Sequence, residues 1–77
     1  MAVKRALEHY KKHEIVAETT PGTDKWMYTV SVVSHDGDDS KVIAKETLEG
    51  FESDLAALHA AQERGRRLVD ESLAHAS

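Results

Sequence analysis

From Trp26 to Val33 the chain alternates. Trp26, Tyr28, Val30 and Val32 fall on one face of an extended segment; Met27, Thr29, Ser31 and Val33 fall on the other. A period of two predicts a strand, over about 25–34. The bulkier first face belongs on a core. Met27 and Val33 leave the second face partly apolar too, which points to a central strand or to a face covered by another element. Glu14 to Thr19 predicts an earlier, shorter strand, with Ile15 and Ala17 opposing Val16 and Glu18. Pro21-Gly22 separates the two and suits a type II turn. After Val33 comes an acidic connection, His35 to Ser40, in which Asp36-Gly37 is a hairpin signal. The next strand is expected over about 41–48. Val42, Ala44 and Leu48 lie on one face, broken by Glu46, and Ile43, Lys45 and Thr47 on the other.

Helical spacing marks both ends of the chain. Val3, Ala6, Leu7 and Tyr10 recur at i, i+3, i+4 and i+7, which predicts a short helix over about 3–13. Three turns are too few to be stable alone, so this stripe docks on the sheet, docks on a neighbour, or frays. The C-terminal helix is expected over about 53–74. Ser53 is a capping residue and Asp54 suits the positive helix end. Leu55, Leu58, Ala61, Gln62, Gly65, Leu68, Val69 and Leu73 form an apolar-leaning stripe. Gly65 costs about 1 kcal/mol against alanine inside a helix. It either lets the helix backbone approach another element or is simply tolerated. The sequence thus predicts a single small α+β domain over residues 1–77: a three-stranded antiparallel sheet (about 14–19, 25–34 and 41–48) under the long helix, with the short N-terminal helix beside it.

Size makes stability a constraint. At 77 residues the chain buries a modest share of its surface. It has no cysteine, so neither a disulfide nor a thiolate metal site can help. Good packing or a partner subunit must do so. The N-terminus does not read as a signal peptide, and no apolar run approaches a membrane span, so a cytoplasmic protein with no membrane partner is expected. The net charge of −4 makes nucleic acid an unlikely partner. Two basic clusters stand against that balance: Lys4, Arg5, Lys11 and Lys12 near the start, and Arg64, Arg66 and Arg67 in the last helix.

No arrangement predicts catalytic, cofactor-binding or metal-ligating residues. His9 and His13 are four apart on the expected first helix and could share a metal, but no third ligand is evident. His59 and Glu63 have the same spacing and could form a hydrogen-bonded pair. The Asp36-Gly37-Asp38-Asp39 loop lacks the register of a calcium loop and reads as a solvated turn. Arg66 lies near the apolar seam, where it could snorkel or meet an acid across a subunit interface. Thr19, Thr20, Thr23, Ser31 and Ser34 have no adjacent base to activate them. Trp26 suits either the edge of a core or a contact point for a protein partner.

Trp26, Tyr28, Gly37, Phe51, Ser53, Ala56, Ala60 and Ala61 form a pattern that resembles a diffuse group of small uncharacterised bacterial proteins, over residues 14–74. The resemblance implies a compact sheet-plus-helix domain and no site residue. The expected order of helix, three strands and helix is also similar to a double-stranded RNA-binding domain. That family's lysine-rich start to the last helix is replaced by Glu52, Ser53 and Asp54, which would repel phosphate. The function expected is a non-enzymatic protein-interaction or self-associating module, its partner another protein or a second copy. The alternative is nucleic-acid or anionic-ligand binding through the basic residues at the two ends.

Overall fold

A computed structural model describes residues 4–76. Four strands precede one helix: β1 (Lys4–Tyr10), β2 (His13–Pro21), β3 (Trp26–Asp36), β4 (Asp39–Phe51) and α1 (Asp54–Ala76). The strands pair in chain order as an antiparallel meander. The α+β class stands, but the expected three-stranded sheet is four-stranded. The expected N-terminal helix over about 3–13 is overturned: Lys4–Tyr10 is an edge strand. Val3, the first residue of the supposed helical stripe, lies outside the described residues.

Two features hid this strand. Ala6, Glu8 and Tyr10 alternate inward against exposed Arg5, Leu7 and His9. A carboxylate normally marks an outward position, yet Glu8 faces the helix and receives Arg66 there. The turn is the second feature. Lys11 and Lys12 close the β1–β2 hairpin with φ of 50° and 65°. A two-residue hairpin needs such left-handed backbone, usually from Asn or Gly. Here contacts distant in sequence hold it: Lys11 Nζ reaches Asp70 Oδ1 at 2.8 Å and Tyr10 OH donates to the same carboxylate. The ring of His13 donates from Nδ1 to the Lys11 carbonyl at 2.8 Å.

The β2–β3 connection also differs from its expectation. Pro21 still pairs with Trp26, and the Gly22 N–H donates to the Lys25 carbonyl at 2.8 Å. Gly22 does not take the left-handed φ of a type II turn; a Cβ there would press on the Lys25 carbonyl oxygen. The β3–β4 turn falls one residue later than expected, with Gly37 at φ 65°. Two bulges interrupt β3–β4 pairing, between Trp26 and Met27 and between Val32 and Val33. Gly50, at φ 109°, is the extra residue of the first. At the second, Val33 pairs with Val42 while Val32 pairs with Ala44. Val42 thereby leaves the face of Ala44, to which simple alternation assigned it.

One sheet face is the core. Ile15, Ala17 and Thr19 from β2, and Tyr28, Val30 and Val32 from β3, are buried under α1. Tyr28 and Phe51 meet with ring centroids 5.4 Å apart, and Trp26 packs half-buried at this core edge. The helix starts where expected: Ser53 Oγ accepts from the Ala56 N–H at 3.1 Å. Its buried stripe is narrower than expected. Ala57, Ala61, Gly65 and Val69 recur every fourth residue, while Leu55 and Leu73 stay 51% and 41% exposed. Small residues bring the helix axis low over β2 and β3, and a Cβ on Gly65 would overlap the side chain of Ile15. Leu58 and Leu68 of the expected stripe pack partly buried against the same core.

Candidate functional site

The basic clusters turn out to hold the layers together. Arg64 and Arg66 flank Gly65 and leave the helix on opposite sides. Arg64 forms a two-point bond to Glu46 of β4, Nε to Oε1 at 2.8 Å and Nη2 to Oε2 at 2.9 Å. Arg66 reaches Glu8 of β1 at 2.9 and 2.8 Å. Lys4 sits 3.4 Å from Asp54 at the start of α1, and Lys11 meets Asp70 near its end. Glu46 and Glu8, which break the hydrophobic pattern of their strands, are the sheet's anchors for the helix. The acid expected to meet Arg66 across a subunit interface is Glu8 of the same chain.

Charge states follow the pairing. The Arg64 hydrogen bonds hold the Glu46 carboxyl below its ordinary range, and Glu46 raises Arg64 in turn. Bonding to Glu8 raises Arg66. The Lys11 ammonium, with help from Tyr10, lowers Asp70, and Asp70 raises Lys11. Burial raises the Tyr28 hydroxyl. Each direction favours the charged pair that ties helix to sheet, apart from Tyr28, which stays a neutral core residue.

Arg5, Lys12 and Arg67 are what the two clusters leave without an ion pair among the described residues. Arg5 stands on β1, Lys12 at the hairpin tip and Arg67 on the helix, so they do not form a patch from one element. His9 and His13 are separated by the sheet itself: His9 pairs with Glu14 on the exposed face, and His13 is buried beside Tyr10 on the other. They cannot share a metal. Among the described residues no group of three His, Asp or Glu is placed to hold one. Asp38 and Asp39 are exposed at the hairpin tip, and His59 and Glu63 are exposed on the helix. No helix among the described residues is long and apolar enough to cross a membrane.

Shallow depressions mark the surface of the described residues. One of about 310 Å³ lies between the β2–β3 loop and the Gly50 bulge, lined by Thr23, Asp24, Lys25, Glu49 and Gly50. Another of about 470 Å³ lies along the helix, lined by Tyr10, Glu63, Arg66, Arg67 and Asp70. In the second, the Asp70 carboxylate accepts from the Tyr10 hydroxyl and the Lys11 ammonium, the contact that ties the β1–β2 hairpin to the helix. The Thr19 hydroxyl is buried with no hydrogen-bond partner among the described residues, but it lines neither depression.

What the fold leaves unsatisfied lies on the sheet. Among the described residues no element covers the face opposite α1. An apolar diagonal crosses it: Leu7 pairs with Val16, Val33 pairs with Val42, and Val16 and Val33 are diagonal neighbours on β2 and β3. Leu7 and Val42, at its ends, are each 58% exposed. Beside it Thr29 and Thr47 join hydroxyls at 3.1 Å, and His35 Nε2 approaches Glu14 at 3.4 Å. β4 is an edge strand of 13 residues. Of the six exposed large apolar side chains among the described residues, Val42, Ile43 and Leu48 belong to it. Sequence reasoning missed this edge because Val42, Ile43 and Leu48 fit a strand core; only a bulge and an offset helix expose them. Comparison with known protein families, with curated proteins and with solved structures finds no match.

Proposed function

We propose that this chain is a non-enzymatic interaction module that joins another polypeptide along β4, in the first place a second copy of itself. One observation carries the reading: the longest strand of the sheet has an unpaired side and holds half of the exposed large apolar side chains described. The free N–H and C=O groups of an edge strand are a template for a further strand. Leu48 stands on the helix side of β4, and Val42 stands on the other. A strand added here would remove apolar surface from water on both sides of the sheet. A chain of this size, without cysteine, gains stability from such burial. The same absence of cysteine suits a reducing compartment such as the cytoplasm, which belongs to this reading.

The alternative, binding of nucleic acid or another anion through the two basic clusters, has less support. Lys4, Lys11, Arg64 and Arg66, four of its seven cations, already face carboxylates. Phosphate would have to compete with those pairs. Sedimentation velocity of the full chain, from low to high micromolar concentration at physiological salt, tests the proposal. A monomer–dimer shift with concentration is the expected result. A monomer at every concentration overturns it.

A further inference from the structure

Resting on that reading, we propose that the β4 edge pairs with its own copy about a two-fold axis through Thr47, so that Lys45 of each chain faces the partner's Glu49. The bulges set the limits of the new ladder. Regular pairing to β3 runs from Ala44, opposite Val32, to Glu49, opposite Met27, and both ends are broken by a register shift. Bulges bend and twist a strand, so the straight part available to a partner is Ala44–Glu49.

Face matching then limits the register. Glu46 pairs with buried Val30, so Ala44, Glu46 and Leu48 share the helix side. Lys45, Thr47 and Glu49 share the open side. A two-fold axis perpendicular to the sheet keeps each side with its like, so the axis must pass through a residue rather than between two. An axis at Lys45 sets lysine on lysine. One at Glu46 sets carboxylate on carboxylate and leaves Lys45 facing threonine. One at Leu48 leaves Lys45 unmatched and runs the ladder into the Gly50 bulge. The axis at Thr47 pairs Lys45 with the partner's Glu49 and Glu49 with the partner's Lys45. Opposite charges directly across an antiparallel ladder are stabilising and like charges destabilising. The two copies of Leu48 become diagonal neighbours on the helix side, within reach of long side chains.

Lys45 and Glu49 are also the right kind of charge for this. Both are exposed, and neither has an ion-pair partner among the described residues. The other sheet edge differs: on β1, Lys4 is engaged by Asp54 and Glu8 by Arg66. An isologous contact closes on itself, so the product is a dimer with one eight-stranded sheet and both helices on one side, not a fibre.

Charge reversal tests the register. Lys45→Glu puts Glu against the partner's Glu49; Glu49→Lys puts Lys against the partner's Lys45. Each variant is expected to keep its circular dichroism spectrum and to weaken self-association about tenfold, because two attractive contacts become repulsive. An equimolar mixture of the two single variants is expected to regain wild-type association as a heterodimer. Sedimentation velocity reads all four samples, wild type included. If the wild type dimerises and both single variants do so equally well, or if the mixture regains nothing, this register is overturned while self-association stands. A wild type that stays monomeric removes both.

Discussion

A methyl group at Gly65 would overlap Cγ2 of Ile15, a carbon bonded directly to Cβ in a fully buried strand residue and unable to swing aside. Helix propensity alone favours alanine there by about 1 kcal/mol. Overpacking of a tight core costs about 1–3 kcal/mol. The second term wins, so Gly65→Ala is expected to destabilise the chain by about 1 kcal/mol and lower its melting temperature by roughly 5 °C. Thermal unfolding by circular dichroism measures this. A higher melting temperature in the variant would mean that the helix does not sit as low on β2 as described. Gly50 makes the contrast clear. Nothing lies within 4 Å of the position of its Cβ, but its φ of 109° excludes ordinary side chains. Both roles of glycine are invisible in composition. The cap at Ser53 could be read directly because its partners are local in sequence; the contact at Gly65 could be read only as one of two alternatives because Ile15 lies fifty residues away.

Between elements, the helix is held over two strands by apolar contact and to the two edge strands by ion pairs. The Glu46–Arg64 pair should therefore appear in the acid limb of stability. Arg64 lowers the Glu46 carboxyl in the folded chain below its ordinary value of 4.5. A lowered carboxyl adds stability at pH values above its unfolded value and loses it as pH falls through the folded one. Glu46→Gln is expected to be less stable than wild type at neutral pH. The gap should narrow as pH drops below 4.5 and close once Glu46 is protonated in the folded wild type. Urea midpoints across an acid pH series measure the gap; one that stays constant with pH would assign the loss to something other than this charge. The same pairs explain which elements could be read from the sequence. β3 and α1 were legible because a period of two and a capped helical stripe are local patterns. β1 was not, because Glu8 points inward to a partner on α1 and because Lys11-Lys12 is a turn without turn residues. The candidate surface was legible only in outline. Apolar content on both faces of β3 pointed to a central strand or a covered face, but the bulge that turns Val42 outward depends on the pairing of β3 with β4.

At the scale of the whole molecule, one helix covers one side of a four-stranded sheet, and the described residues leave the other side and the β4 edge to water. If a second copy occupies that edge, folding and association are linked, and heat stability must depend on concentration. In the dimeric range, a tenfold rise in concentration adds about 1.4 kcal/mol per dimer, or about 0.7 per chain. A chain of 77 residues unfolds with an entropy of roughly 0.16 kcal/mol/K. The melting temperature should therefore climb by roughly 4 °C per tenfold in concentration. Lys45→Glu, which opposes its own copy, should need about tenfold more protein to reach the same contribution from association. A wild-type melting temperature that does not move with concentration would leave the apolar edge of β4 as a solvated feature of a monomer. A rise that the variant displaces to higher concentration would tie the stability of the fold to the free edge of β4.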